Sequence, residues 1–520
     1  MPQIMQNSGP FALEIGMQHR SLTDARLAKK PMASINEAVI GPRLSGPNGE
    51  LAILPTFIQV DMAHIAMLTI CDIIPRERGV PVLQALRALR DEGAAALNVD
   101  PAYGTLLLQV ERFLASRAGG EAGGMLQLAR SRVDQGATIG RIAVRDLILV
   151  TIEQVIALQA TIVHRAEEWQ GIIMPGYTHI QHSQPWVLAH YALAYCDAFQ
   201  RDLERLWECF TRVNRSPLGT AAMAGTGWPI DRKMTARFLG FDSVIRNAKD
   251  ANFVTGMDFI PEVAATLSLL MAGLGRWASE FYVWSSWEFG LVELDEGLCG
   301  TSSLMPQKKN AYALERIRAL SGEALGWLPA QLGLLRSPTS TDCDVNFSSR
   351  EHFGYFQTAG WALRLMTDVV STVRVNAPLM AERAGANWTT ASELADTIVR
   401  HSGLDFRQAH HIVGALVRDS LARNIDPRQI RAAELDRAAA EIIGRPLGLP
   451  DEIVARALDP EDFVASRRSA GSVNATEVSR LLELANVDIG VSQARLETCK
   501  ASLASSARHL EDSIDSLLLG

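Results

Sequence analysis

Residues 141–170 read "RIAVRDLILVTIEQVIALQATIVHRAEEWQ" and contain neither glycine nor proline. Their apolar side chains recur at intervals of three and four, which predicts an α-helix. An unbroken helix of about 30 residues is roughly 45 Å long, well beyond the usual globular helix. Apolar side chains also occupy much of its circumference. We therefore expect this helix to be buried in a large bundle or between subunits.

Two further stretches, residues 186–199 and 263–274, have the same broadly apolar character. Few segments show the period-two alternation that is typical of strands. Beyond about residue 380, shorter helical stretches are separated by glycine and proline, and an amphipathic helix ends the chain. The sequence therefore predicts long helices in a bundle that oligomerises, followed by a smaller C-terminal domain.

The composition excludes some classes of partner. The 520 residues are 48% hydrophobic and carry a net charge of -8, which argues against nucleic acid as the main partner. A small anionic substrate needs only a local positive pocket, so it is not excluded. Six scattered cysteines without a CxxC pair predict neither a disulfide framework nor a metal site.

The apolar run within residues 147–163 contains Glu153, Gln154 and Gln159, which makes it too polar for a membrane span. The first twenty residues, "MPQIMQNSGPFALEIGMQHR", lack the apolar core of a signal peptide. These features favour a cytoplasmic protein without a membrane partner.

Three polar clusters could carry chemistry. The first, "ARSRVDQGAT" (129–138), precedes the long helix, and helix capping is its simplest interpretation. The second, "MPGYTHIQHSQP" (174–185), is expected to be a loop between two helices. It presents Tyr177, His179 and His182. A metal site is the minor alternative there, since no carboxylate or cysteine lies nearby to complete a ligand set.

The third cluster, "GTSSLMPQKKNAY" (300–312), combines two serines with Lys308 and Lys309. A serine hydroxyl becomes a useful base only when cations and amide dipoles stabilise its anion, and the same donors could hold an oxyanion on a substrate carboxylate. Phosphate binding competes with this interpretation, although the spacing does not match a P-loop. A solvated basic loop is the third alternative.

Taken together, the three clusters resemble a known family. "TSSLMPQKKN" closely resembles the signature of the fumarase/aspartase superfamily. "MPGYTHIQHSQP" and "RSRVDQGAT" resemble two blocks of its argininosuccinate lyase and delta crystallin branch. Further similar blocks follow in family order, so the resemblance spans about residues 55 to 485.

This resemblance implies an all-α, three-domain fold. Its domains would be an N-terminal helical domain (1–130, the first ~50 residues a poorly defined extension), a central long-helix domain (131–378) and a small C-terminal domain with a tail helix (379–520). In the family, central helices from four subunits form a bundle of twenty helices in a homotetramer. Each active site takes residues from three subunits.

The resemblance also implies a reaction, which is β-elimination from a succinyl group through a dianionic aci-carboxylate to give fumarate, without cofactor or metal. Ser302 would be the general base, and His179, paired with Glu315, would act as acid or orienting group. Lys308 would stabilise the developing charge together with Asn310. The residues assigned to substrate binding are Ser131, Arg132, Thr178, Ser303, Asn310 and Asn346.

Several substitutions alter the family pattern at substrate contacts. Val133 stands where the family has an asparagine, and Thr301 and Ala311 replace the glycine and the proline of the signature. In segment 336–350, a tyrosine, glutamine and lysine of argininosuccinate lyase are replaced. We therefore expect a lyase acting on an N-substituted aspartate other than argininosuccinate. The alternatives are argininosuccinate lyase of arginine biosynthesis and a non-catalytic, crystallin-like structural homologue.

Overall fold

The computed structural model describes residues 32–251, 254–336, 348 and 350–519. Its helices of seven or more residues are α1 Leu54–Ile70, α2 Arg76–Glu92, α3 Leu106–Ala118, α4 Arg132–Glu168, α5 Leu188–Val213, α6 Arg232–Phe238, α7 Phe259–Trp284, α8 Tyr312–Ala324, α9 Trp327–Leu334, α10 His352–Thr372, α11 Ala377–Ala384, α12 Ala391–Ser402, α13 Phe406–Ala422, α14 Ala432–Ile443, α15 Asp451–Leu458, α16 Pro460–Ser466 and α17 Ala475–Leu519.

Short strands within the described residues form four two-stranded ladders. The strands are β1 Ile173–Thr178, β2 Gln181–Val187, β3 Arg215–Ser216, β4 Ser243–Val244, β5 Val292–Glu293, β6 Gly300–Thr301, β7 Lys309–Asn310 and β8 Arg374–Val375. The pairs are β1–β2, β3–β4, β5–β8 and β6–β7. Only β1 and β2 are longer than two residues, so the predicted all-α fold class is confirmed.

The five helices α4, α5, α7, α8 and α10 pack on one another around the largest hydrophobic core. Five helices per chain is the number that a twenty-helix bundle of four chains requires. The tetramer itself stays a prediction, since it depends on contacts between chains.

Helix α4 is longer than the sequence pattern suggested. It has 37 residues and begins at Arg132 rather than near residue 141, so Gly136 and Gly140 lie inside it. A capping box stabilises this start, because Ser131 Oγ accepts the N–H of Val133 and Asp134 Oδ1 accepts the N–H of Ser131 (2.9 Å). The cap offsets the low helix propensity of the two glycines.

The stretch that we expected to be a loop between helices is a β-hairpin instead. Strands β1 and β2 are antiparallel, and helix α5 begins only at Leu188, so Trp186 belongs to β2 and not to a helix. The turn residues His179 and Ile180 have φ of 55° and 60°, as a two-residue type I′ turn requires. Two prolines and a register shift at Pro175/Tyr177 mask the alternation in the sequence.

Two smaller cores flank the bundle, one around α1–α3 and one around α12–α15. The 45-residue tail helix α17 joins the central and N-terminal cores. It contributes Leu496 to the first and Ile514 to the second, and Glu511 and Asp515 accept hydrogen bonds from Arg87. The predicted domain boundaries stay predictions.

Three helical stretches, Ala33–Ile70, Arg132–Glu168 and Phe259–Trp284, are long and apolar enough to cross a membrane by length and composition alone. The expectation that polar residues would exclude α4 from this class was therefore too strong. Burial inside the protein also explains the apolar character of α4. The helix buries polar side chains as well, and Arg141, Arg145 and Gln159 donate hydrogen bonds to other parts of the protein.

Candidate active site

The short ladder β6–β7 holds the loop that carries the two serines. Gly300 pairs with Asn310, and Thr301 pairs with Lys309, so residues 302–308 form the connection. Within it, Ser302 Oγ accepts the backbone N–H groups of Leu304 (3.3 Å) and Met305 (3.0 Å). Two such donors stabilise negative charge on this oxygen, so the serine anion that would act as base forms more easily.

The two lysines of the loop have different surroundings. Lys309 Nζ lies 3.1 Å from Glu293 Oε1, which also receives Arg374 at 2.9 Å. The hydrogen bond from Lys309 is the main cause that lowers the pKa of Glu293. Lys308 forms no ion pair with any residue that the structure describes, so its charge is available to a substrate.

An open cleft of about 940 Å³ adjoins the loop. Three cations, Lys308, Lys309 and Arg374, line it against one carboxylate, Glu293. The indole of Trp287 also lines it and is 95% exposed in the single chain. The charge balance of the cleft favours an anionic ligand.

The second cluster lies on the β1–β2 hairpin, with Thr178 at the end of β1 and His179 in the turn, and both are exposed. Glu315 lies in the first turn of α8, where Tyr282 Oη donates to its Oε1 (3.4 Å). Within the described part of one chain, no ion pair joins His179 to Glu315. Their pairing stays a prediction for the assembled protein.

The neighbouring His182 stands edge-on to the Tyr177 ring at 5.3 Å. Burial, followed by the nearby Arg383, lowers the pKa of His182. Among the described residues, no group of three or more His, Cys, Asp or Glu side chains is arranged to hold a metal ion.

The first cluster begins α4. Ser131 is its cap residue, which confirms the capping interpretation, and Arg132 is exposed at the first helical position. The buried carboxylate of Asp134 also accepts the N–H groups of Gly219 and Ala221, each at 2.9 Å. The loop that follows β3 is therefore fixed to the start of α4. Substrate binding by Ser131 and Arg132 stays a prediction.

Two features near the first and third clusters were not predicted from the sequence. Behind Ser131, the fully buried side chains of Asp61 and Arg130 form an ion pair at 2.6 Å, and Gln135 donates to the same carboxylate at 2.7 Å. The sequence did contain a signal for this ion pair: Asp61 lies within an apolar helical stretch, and a buried carboxylate needs a partner. The other missed residue, Glu293, is the partner of Lys309.

One chain does not bring all three clusters together. Helix α4 separates the first cluster from the hairpin by about 55 Å, at 1.5 Å per residue. The serine loop lies at the hairpin end, where Arg165 of α4 donates to the carbonyl of Val373 (2.7 Å), directly before β8. The predicted substrate contact Asn346 lies outside the described residues.

Comparisons with known proteins agree with these features. A family model described as lyase matches residues 58–326, and one described as argininosuccinate lyase C-terminal matches residues 388–465. Argininosuccinate lyase of Methanothrix thermoacetophila is 38% identical over 476 residues, covering 91% of this chain and 95% of that protein. The Methanocorpusculum labreanum enzyme is 36% identical over 481 residues, covering 92% and 96%.

A solved structure supports the same grouping. A variant of EDDS lyase with bound fumarate superimposes with a TM-score of 0.82 and 31% identity, covering 90% of this chain and 92% of that one. The chain therefore belongs to the argininosuccinate lyase family of the fumarase/aspartase superfamily, and it is a carbon–nitrogen lyase that acts on a small dicarboxylate substrate.

Proposed function

We propose that the enzyme catalyses β-elimination from an N-substituted aspartate other than argininosuccinate, releasing fumarate and an amine. The observation that carries this proposal is the Ser302 hydroxyl, which accepts two backbone N–H groups in the same loop as Lys308, a cation that forms no ion pair with the described residues. A serine anion and a dianionic intermediate both need this arrangement of donors and positive charge.

In the proposed reaction, Ser302 removes the proton from the carbon next to a carboxylate. The resulting aci-carboxylate dianion is stabilised by Lys308 and Asn310, which bind it more strongly than they bind the substrate. The C–N bond then breaks, and the departing nitrogen takes a proton. His179, oriented by Glu315 in the assembled protein, acts in that second half, while Thr178 and Ser303 contact the carboxylates.

The substrate proposal follows from Val133. An aliphatic group there offers no hydrogen-bond donors, whereas the family asparagine offers two. Each unmade buried hydrogen bond costs on the order of 1–3 kcal/mol, which is enough to change substrate preference. Fumarate, bound in the related EDDS lyase variant, fits as the product common to such substrates.

The assembly proposal is a cytoplasmic homotetramer with shared sites. It is supported by the 55 Å separation and by exposed apolar side chains near the loops: Trp287 is 95%, Leu304 84% and Ile180 72% exposed in one chain. Exposed apolar side chains of this kind are typical of surfaces that a partner subunit covers.

The test is to incubate the purified enzyme with fumarate and a panel of amines, and separately with argininosuccinate, and to identify products by mass spectrometry. We expect adducts with one class of amine and little cleavage of argininosuccinate. Efficient cleavage of argininosuccinate would instead favour argininosuccinate lyase, which the 38% identity over 95% of a relative supports. Absence of any reaction would contradict the proposed substrate class.

A further inference from the structure

Gly300 and Tyr312 are in close contact at the base of the serine loop. A Cβ atom added to Gly300 would overlap the Tyr312 ring, because that ring lies directly against the Gly300 backbone. The φ angle of Gly300 is not positive, so glycine is needed here for space and not for backbone freedom.

The register of the ladder shows which face the ring covers. Gly300 lies directly opposite Asn310, and side chains of opposed residues point to the same face. The Tyr312 ring therefore lies on the Asn310 face of the ladder. The next pair, Thr301 and Lys309, points to the other face, where Lys309 meets Glu293.

The ladder that this ring covers has only two residue pairs. Two pairs give little stability of their own, so the loop needs contacts from its surroundings. The ion pairs of Glu293 with Lys309 and Arg374 supply one contact, and the Tyr312 ring supplies the contact on the opposite face. Ser302 directly follows the ladder, so the ladder fixes its distance from Asn310.

We propose that Tyr312 is a positioning residue, matched to Gly300, that holds Ser302 in register with Asn310 for proton abstraction. This rests on the proposed role of Ser302 as base. The match also accounts for the glycine at position 300, since a side chain larger than hydrogen there would displace the ring. In this chain the glycine stands at 300 and threonine at 301.

The experiment compares Tyr312→Ala and Tyr312→Phe with a matched control, Phe406→Ala. Tyr312 and Phe406 each begin a helix and are each 54% exposed. Alanine is a better helix former than either aromatic residue, so neither alanine change weakens its own helix. The readouts are kcat, KM and backbone hydrogen exchange over residues 300–310.

We expect Tyr312→Ala to lower kcat about tenfold with KM nearly unchanged, because a small misplacement of a reacting group reduces rate more than binding. Hydrogen exchange over residues 300–310 should become faster. Tyr312→Phe should restore both readouts, and Phe406→Ala should change neither.

A double-mutant cycle with Gly300→Ala tests the match itself. Gly300→Ala alone should reproduce the loss of kcat, and in the Tyr312→Ala background it should cost little more, since the ring is gone. Additive effects, or unchanged exchange in Tyr312→Ala, would overturn the proposal. The exchange readout needs no activity, so failure of the proposed reaction and failure of the positioning role remain distinguishable.

Discussion

Lys308 and Lys309 are neighbours in sequence but meet different partners. Lys309 is held by Glu293, while Lys308 lines the cleft without an ion pair to the described residues. Lys309 lies in β7, whereas Lys308 belongs to the connection before that strand. The sequence-based choice of Lys308 for the site stays a prediction, and the countercharge on Lys309 was not foreseen.

This difference predicts that replacing Lys308 and replacing Lys309 will reduce activity to different extents. Lys308→Met should lower kcat/KM by about 10- to 100-fold, because a hydrogen bond to a charged group contributes roughly 1.5–3 kcal/mol. Lys309→Met, the matched control, should cost less, since it removes a contact with Glu293 and not with substrate. Steady-state kinetics measures both, and equal losses would contradict the assignment.

His352 makes the stability of the protein depend on pH. Its ring is buried at the start of α10, and burial, together with the nearby Arg350, lowers its pKa to about 3. Between pH 6.5 and this value the unfolded chain binds more protons than the folded one. The stability contribution of neutral His352 is therefore present above pH 6.5 and lost as the pH falls.

We predict that the free energy of unfolding of wild type, relative to His352→Phe, falls by about 2 kcal/mol between pH 7 and pH 5. Denaturant titrations of both proteins at equal concentration measure this difference. Parallel pH dependence in the two proteins would show that His352 does not titrate in this way.

At the scale of elements, Asp134 has two structural roles. Its carboxylate completes the capping box of α4 and also binds the backbone of Gly219 and Ala221, and burial raises its pKa. The carboxylate therefore joins the long helix to the loop that follows β3. This function could not be predicted from the sequence, because Gly219 is 85 residues away.

Asp134→Ala should lower the free energy of unfolding by at least about 2 kcal/mol, since several buried N–H groups lose their acceptor. Asp231→Ala is a suitable control, because the Asp231 carboxylate caps the helix that it precedes, accepting from Lys233 and Met234, and pairs with Arg237 of that same helix. That variant should lose about 1 kcal/mol. Equal losses in denaturant titrations would show that the link to the distant loop contributes nothing.

The long helices were predictable because their apolar periodicity is sustained over many residues, as in α4 and α7. The hairpin was not, because Pro175, Gly176 and Pro185 interrupt its alternation and the turn uses His179 and Ile180 instead of asparagine and glycine. Positive φ at the β-branched Ile180 is strained. Neighbouring structure therefore holds this turn, and local sequence does not encode it.

At the scale of the molecule, the sequence resemblance predicted which residues share a site, but one chain does not assemble them. The start of α4 and the hairpin lie at opposite ends of a 37-residue helix. The proposed shared site needs contacts between chains to close that distance, and a single sequence carries no geometric signal of such contacts beyond its broadly apolar helices.

Shared sites predict complementation between inactive chains. Arg132→Ala and Ser302→Ala alter clusters that one chain keeps apart, so hybrids of the two should regain activity. Random mixing in equal amounts should restore up to about one quarter of wild-type activity. Tag-selected hybrids assayed for fumarate provide the measurement, and the two separate variants serve as controls. Inactive hybrids of normal size would contradict shared sites.

The most direct test of the central claim is the rate of fumarate release, followed by its ultraviolet absorbance, in wild type and Ser302→Ala. The substrate is the adduct identified in the amine panel. We predict that Ser302→Ala lowers kcat by about 10²- to 10⁴-fold, with unchanged assembly and thermal stability, because it removes the general base. An unchanged kcat would show that Ser302 is not the base and that the proposed mechanism is wrong.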